Sequence, residues 1–166
     1  MVRHGIRGAV GGGAATMAEG PIQAYRDAAA RAGKNLKLGE NLTVGIFFHV
    51  ANSREQAIRE LTPYYEEHVK MFAPLGFVPG ITPPQVAGAA RRGGWKEAGV
   101  PGLDHYMKLG SWIAGTPQQL IEHLKKLEER YPGMQHINLS TSIGTPQAVM
   151  LEQFQRVAEE VMPAFR

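Results

Sequence analysis

The 166-residue sequence contains no cysteine, which excludes disulfides, thiolate nucleophiles and zinc–thiolate sites. No apolar run approaches the roughly 20 residues that a membrane-spanning helix needs. Basic residues are scattered, and Arg91-Arg92 and Lys125-Lys126 are their only notable pairs, so the net charge of +3 gives little support for a nucleic-acid or membrane partner. Residues 1–13 lack the long apolar core of a signal peptide. We therefore expect a cytoplasmic protein.

Residues 111–166 alternate between segments typical of strands and segments typical of helices. A capping box, Thr116-Pro117-Gln118-Gln119, starts a helix that the turn Tyr131-Pro132-Gly133 ends. Its helical spacing predicts four inward-facing apolar residues, Leu120, Ile121, Leu124 and Leu127. Residues 135–140 have the composition of a strand, and Gly144-Thr145-Pro146 starts a second helix. The apolar stripe predicted for this second helix consists of Met150, Phe154, Val157, Val161 and Phe165. Such alternation builds parallel sheets, whose chemistry lies where strand ends meet helix starts.

The most distinct strand is predicted at residues 42–50, which are β-branched or aromatic and apolar on both faces, as in a buried parallel strand. Ser53 and Gln56 fit a capping box for the helix that follows. Pro63 should kink or divide that helix, because proline cannot donate the helical hydrogen bond.

The first part of the chain gives a weaker pattern. Residues 4–10 are a possible strand, followed by a short helical piece over 14–19 and a new helix from Pro21 to Gly33. Residues 74–110 hold five prolines and eight glycines with little periodicity. We expect a long loop there, with one short helix near 103–109; a loop of this length is disordered or functional, often a lid.

Several of these segments, taken in order, carry a resemblance to a known family. The chain resembles the C-terminal part of the bacterial luciferase-like flavin monooxygenases, and the resemblance rests on residues 25–33, 42–50, 113–124, 131–139 and 154–165. It covers nearly the whole chain, although Gly-Thr-Pro helix starts are common in other proteins. The family fold is a (β/α)₈ TIM barrel of roughly twice this length or more.

The resemblance implies a partial (β/α)₈ barrel, a single incomplete domain over 1–166 with about three to four C-terminal βα units. Residues 4–10, 42–50 and 135–141 resemble strands six, seven and eight, and strands one to five are absent. Residues 51–115 then form a lid-like insertion between strand seven and its helix. If 111–114 is a further barrel strand, there are four units; we prefer three, because four residues are few for a barrel strand.

The resemblance also implies a cofactor, FMN or the deazaflavin F420, and a small organic substrate that reduced flavin and O₂ oxygenate. His49, near the end of strand seven, is the candidate catalytic residue, since an imidazole there can donate to a flavin oxygen. The alternative is a structural histidine. No histidine pair has metal-ligand spacing, so no metal site is expected.

Two loops at strand ends are candidate cofactor-binding sites. Gly11, Gly12 and Gly13 would allow the backbone to approach a flavin ring, or they form a simple turn. Ser140 and Thr141, with the following Ser142, would bind a phosphate or polar group, or only bond within their loop.

An incomplete barrel also predicts a partner. A sheet of three or four strands leaves an open edge and an apolar face, so we expect a homo-oligomer or a complementing barrel half. The alternative function is a non-catalytic barrel fragment that acts as a structural or interaction module.

Overall fold

The computed structural model describes residues 1–11, 15–78, 80–90 and 94–165. In this part of the chain, four strands form one parallel sheet and the helices lie against it. The elements follow in the order β1 (Gly8–Val10), α1 (Ala15–Arg31), β2 (Leu42–Val50), α2 (Arg54–Phe72), α3 (Pro83–Ala89), α4 (Gly94–Glu97), α5 (Leu103–Lys108), β3 (Trp112–Gly115), α6 (Pro117–Arg130), β4 (His136–Ser140) and α7 (Gln147–Arg156).

The strand β2 is the centre of the sheet. Thr43 pairs with both β1 and β4, and Phe47 pairs with both β3 and β4. Because one residue pairs once on each side, β1 and β3 share one edge of β2 and β4 lies on the other. The order β1–β2–β4 is that of three successive barrel strands, and β3 is an additional short strand beside the end of β2. The predicted partial barrel with a parallel sheet is therefore confirmed.

One face of the sheet is covered by helices. The alternate side chains of β2 point to this face because successive residues of a strand point in opposite directions. They pack against α1, α6 and the end of the chain in a cluster that includes Leu42, Val44, Ile46, Phe48, Val50, Ile22, Leu120, Leu124, Leu127, Val157 and Val161. The expectation that an incomplete sheet leaves an apolar face exposed is wrong for this face, because the β2 residues that point to it are all buried.

The predicted insertion has a core of its own. Residues 74–110 contain the short helices α3, α4 and α5, so the expectation of a long loop with one helix is wrong, although α5 lies where that helix was predicted. Their apolar side chains pack around α2 and β3 in a second cluster, which includes Leu61, Tyr65, Val69, Ala89, Trp95, Val100, Leu103, Tyr106, Trp112 and Ala114. This cluster covers the other face of the sheet near the end of β2, where Phe47 lies.

The rest of that second face remains open. On β4, His136 and Asn138 are exposed and Ser140 is half-buried, and the β2 residues beside them, Thr43 and Gly45, are also half-buried. Within the described ranges, β4 pairs only with β2, so its far edge has no strand beside it. The open surface is therefore polar, with one unpaired strand edge.

Several helices differ from their predictions. The helix α1 runs through Pro21, where a new helix was predicted to begin, and α2 runs through Pro63 and is not divided there. The helix α7 begins where predicted, but Pro146 caps it without a side-chain bond. Across the chain segments that the structure covers, no helix combines the length and apolar character needed to cross a membrane.

Candidate functional site

His49 lies at the carboxyl end of β2, where barrel enzymes place their chemistry. Only 2 % of the His49 surface is exposed, and His49 pairs with Ala114 of β3 in the sheet. A turn of three residues leads from β2 to α2, and the Ser53 side chain accepts a hydrogen bond from the Gln56 amide at 3.1 Å. This cap fixes the first turns of α2 beside the strand end.

Glu60 of α2 holds the His49 ring. Its Oε2 lies 2.9 Å from His49 Nε2, and its Oε1 accepts from the Gln56 side chain at 2.8 Å. The side-chain amide of Gln56 therefore does not complete the predicted capping box. It donates to Glu60 instead. Hydrogen bonds from His49 and then from Gln56 lower the pKa of Glu60, so the carboxylate is the favoured form. It favours a proton on His49 Nε2.

The other ring nitrogen of His49 is available to a ligand. Among the residues that the structure describes, His49 Nδ1 has no hydrogen-bond partner. The ring lines a cavity of about 240 Å³, together with Gln56 and Glu60. The cavity is also lined by Asn52, Tyr64, Glu152, Gln153 and Arg156. A ring with Nε2 held by a carboxylate can accept at Nδ1 when neutral and donate there when protonated.

Gln153 of α7 completes the end of β2 beside this cavity. Its Oε1 accepts from Val50 N at 2.6 Å and its Nε2 donates to Val50 O at 3.0 Å, so the side-chain amide bonds as a neighbouring strand would. The pairing of β4 stops at Phe47, three residues earlier. Arg156 lies nearby and is held by Glu160 through its Nε at 2.7 Å.

The glycine turn lies away from His49. Gly11 follows β1, whose last residue, Val10, pairs with Val44. At about 3.3 Å per residue, His49 is roughly 16 Å farther along β2, and β3 occupies that edge of β2 from Phe47 onward. A Cβ placed on Gly11 would meet no atom within 4 Å. Gly12 and Gly13 lie outside the described residues.

The loop of Ser140, Thr141 and Ser142 lies closer to His49 than the glycine turn does. Ser140 pairs with Phe47, two residues before His49 in the register, and its Oγ accepts from Asn138 at 3.3 Å. Thr141 is half-buried. Ser142 is buried, and its Oγ donates to the Tyr64 carbonyl at 2.7 Å, which ties this loop to α2 beside the cavity. The binding roles of Ser140 and Thr141 remain predictions.

A second buried histidine, His68, connects the insertion to the same loop. Its ring contacts Phe47, Phe72 and Trp112, and its Nδ1 accepts from the Ile143 amide at 3.4 Å. Burial lowers the pKa of His68 to about 4. The imidazole is therefore neutral in the folded protein near neutral pH.

We expect this histidine to make stability fall as the pH is lowered from about 6.5 to about 4.5. Unfolded chains bind a proton on histidine near pH 6.5, whereas folded His68 does not until about pH 4. The difference is on the order of 2 kcal/mol. Urea unfolding of His68→Phe at both pH values should show a smaller pH dependence than wild type. The exposed His105→Phe variant should keep the wild-type dependence; an unchanged slope in His68→Phe would contradict the assignment.

The arrangement defines a class of fold. A parallel sheet with helices on one face, and with a buried histidine at the carboxyl end of a strand, is typical of a segment of a (β/α)₈ barrel. In the described parts of the chain, no cluster of three or more metal-ligating side chains is present.

Solved structures of other proteins share this fold. The fold is similar to that of a monooxygenase, RslO1, from Streptomyces bottropensis, with a TM-score of 0.68 and 16 % identity over 99 % of this chain and 44 % of that one. It is also similar to the oxygenating constituent of 3,6-diketocamphane monooxygenase from Pseudomonas putida, in complex with FMN, with a TM-score of 0.64 and 16 % identity over 98 % of this chain and 44 % of that one.

A third similar structure is an F420-dependent secondary alcohol dehydrogenase, with a TM-score of 0.60 and 16 % identity over 99 % of this chain and 44 % of that one. No protein-family model and no curated protein matches the sequence. These structures confirm the predicted resemblance in fold to the luciferase-like flavin enzymes, and the chain spans less than half the length of each of these three.

Proposed function

We propose that the chain supplies the carboxyl-end rim of a flavin-dependent oxidoreductase, a monooxygenase that oxygenates a small organic substrate with reduced FMN and O₂. A deazaflavin, F420, is the other cofactor that the similar folds support. The observation that carries the proposal is the buried His49, which is paired with the half-buried Glu60 and lies on a cavity at the carboxyl end of a parallel strand.

The cavity fits only part of a flavin. Its volume of about 240 Å³ lies below the roughly 300 to 1,000 Å³ typical of cofactor sites. His49 and Asn52 would contact one polar edge of the ring, and Ser140 and Thr141 would bind a polar group nearby. The remaining walls must come from further strands, in another polypeptide or in chain beyond this sequence. When bound, a reduced flavin supplies the electrons for oxygen chemistry.

The protein contributes orientation and a proton at one atom. Glu60 holds the His49 ring through Nε2, and a protonated ring can then donate from Nδ1–H to an oxygen atom in the cavity. Gln56 keeps the Glu60 carboxylate in place through its second oxygen. We infer that Glu60 positions His49, while His49 contacts the cofactor or substrate.

Flavin titration followed by fluorescence tests this function. We expect saturable quenching of FMN by the wild-type chain and roughly tenfold or more weaker binding by His49→Gln, because a hydrogen bond to a charged group contributes about 1.5 to 3 kcal/mol. The exposed His105→Gln variant is the matched control and should bind as wild type does. Equal binding by all three chains would contradict the role of His49.

A non-catalytic fragment is the second candidate function. The small volume of the cavity favours it. A folded chain that quenches neither FMN nor F420 would support this alternative over the enzyme.

A further inference from the structure

The cavity at His49 is lined by more negative charge than positive charge. Three charged side chains line it besides His49, namely Glu60 from α2 and Glu152 and Arg156 from α7. Glu160 neutralises Arg156, because its two carboxylate oxygens lie 2.7 Å and 3.3 Å from Arg156 Nε and Nη2. These hydrogen bonds raise the pKa of Arg156 and lower the pKa of Glu160, so both groups are charged. Glu60 and Glu152 are therefore the carboxylates that Arg156 does not neutralise.

The charge of the cavity is negative in either protonation state of His49. With a neutral ring, both Glu60 and Glu152 remain uncompensated. With a protonated ring, His49 and Glu60 neutralise each other at 2.9 Å, and Glu152 remains alone. Arg59 also acts on Glu60, but it is exposed and does not line the cavity, so solvent screens its charge. The cavity therefore attracts a cationic ligand and repels an anionic one.

Hydrogen bonding in the cavity favours the same kind of ligand. The side-chain amides of Gln56 and Gln153 already donate to other groups of the protein. Glu152 is exposed, and it makes no hydrogen bond or ion pair with another described residue. His49 points to a ligand independently of these charges, because its side chain is 3 % exposed and its Nδ1 has no partner in the described ranges. The free carboxylate of Glu152 can accept hydrogen bonds from a donor group on that ligand.

We propose that the small organic substrate is an amine, which binds in the His49 cavity as its ammonium ion with the charge directed to Glu152. The amine is a substrate only if the chain is part of an oxidoreductase, so this assignment rests on the proposed function. An ammonium group donates hydrogen bonds and accepts none, which matches the free acceptor and the negative charge of the lining. An acid of similar size would place a further carboxylate beside Glu60 and Glu152. For the same reason, the phosphate of FMN would bind outside this cavity.

Amide NMR shifts of the flavin-free chain test this preference. Benzylamine, benzyl alcohol and benzoate are suitable probes, because they share one ring and differ in charge. Near neutral pH, benzylamine should shift the amide signals of Asn52 and Gln56 with a Kd of roughly 1 to 10 mM, and benzoate should bind about tenfold or more weakly. The affinity of benzyl alcohol should lie between the two. Glu152→Lys should reverse the order of benzylamine and benzoate, because it reverses the charge beside the ligand.

Glu129→Lys is the matched control, because it changes the net charge equally at an exposed position of α6 that does not line the cavity. It should keep the wild-type order of affinities. Glu152 is exposed as well, so both variants should remain folded, as circular dichroism will show.

Three results would overturn the amine site: wild type that binds benzylamine and benzoate equally, wild type that binds neither, or a Glu152→Lys chain that keeps the wild-type order. These results are independent of the FMN titration, since the shifts are measured without flavin. A chain that prefers benzylamine but does not quench FMN would keep the cation site and overturn only the flavin enzyme.

Discussion

Replacing Trp112 with alanine should lower the free energy of unfolding by about 3 to 5 kcal/mol, the usual loss for a large buried aromatic side chain. Trp112 is buried, and its ring stacks on that of Phe47 with a distance of 4.5 Å between the ring centroids. The Trp112 ring also makes edge-to-face contacts with the rings of Tyr65 and His68, each at a centroid distance of 5.1 Å. It joins β3 to α2 and the sheet. Its removal leaves a cavity where the insertion meets the strands.

Urea unfolding, followed by far-ultraviolet circular dichroism, measures this loss. With a urea dependence of about 2 kcal/mol per molar, the midpoint should fall by roughly 2 M. Phe77→Ala is the matched control, since Phe77 is 71 % exposed and its loss should cost less than about 0.5 kcal/mol. A loss below about 1 kcal/mol in Trp112→Ala would contradict a central role for this ring.

The same variant tests how independent the insertion is. The described core consists of two clusters, one between β2 and α6 and one between α2 and the helices of residues 74–110. The fluorescence of Trp95 reports on the second cluster alone. If Trp112 connects the two clusters, its removal should separate the fluorescence transition from the circular dichroism transition, whereas the wild-type transitions should coincide.

Local sequence signals predicted the correct secondary structure where propensity, capping and periodicity agreed. Residues 42–50 were predicted as a strand and form β2 with the same limits, because their composition allows no competing structure. Thr116 and Gln119 form both bonds of the predicted capping box, and all four apolar residues predicted to face inward on α6, namely Leu120, Ile121, Leu124 and Leu127, are buried. In these segments propensity, capping and periodicity all favour one structure.

The helices of residues 74–110 could not be predicted from local signals. They are four to seven residues long, and helices of that length are not stable alone. Contacts with α2 and β3 stabilise them, and those contacts depend on residues distant in sequence, such as Tyr65, whose hydroxyl donates to the Pro101 carbonyl at 2.6 Å. Prolines and glycines in this stretch hide the remaining periodicity.

The apolar stripe predicted for α7 was only partly right. Val157 and Val161 are buried, but Phe154 and Phe165 are exposed and the polar Gln153 is buried instead. A turn of π-helix over Val157–Val161 adds a residue and rotates the face relative to a regular helix. A prediction that assumes a regular period of 3.6 residues cannot indicate such a rotation.

The candidate site was also predicted only in part. His49 was predicted because it stands at the end of a buried strand, but its partner Glu60 was not. The short turn after β2 and the four-residue spacing of Gln56 and Glu60 on α2 were available signals, since they place both side chains on the helix face near the strand end. The pairing itself depends on the angle between strand and helix, which the sequence does not specify.

Gln153 shows how the incomplete sheet is terminated. In a complete barrel, the backbone of β2 would be paired on both sides along its length. Here β4 ends opposite Phe47, and the Gln153 side chain bonds both backbone groups of Val50 beyond that point. Val50 is buried, so its N–H and C=O groups would otherwise lack water as well as a strand.

Gln153→Leu should therefore destabilise the protein by about 2 to 4 kcal/mol, although leucine has a similar size. Each buried backbone group left without a partner costs about 1 to 3 kcal/mol, and the 3.4 Å contact from Arg156 Nη1 only partly compensates the Val50 carbonyl. The stability of Gln153→Glu should lie between those of wild type and Gln153→Leu, because a carboxylate accepts from Val50 N but cannot donate to Val50 O.

Urea unfolding gives the size of these effects, and hydrogen exchange at the Val50 amide gives their location. In Gln153→Leu that amide should exchange about 10 to 100 times faster than in wild type, because local opening no longer breaks a bond. Gln155→Leu, at an exposed position on the same helix, should change neither stability nor exchange by more than about 0.5 kcal/mol. If Gln153→Leu is as stable as wild type, the end of β2 must be satisfied by water, and the cavity beside His49 must then be wetter than a substrate site that excludes solvent requires.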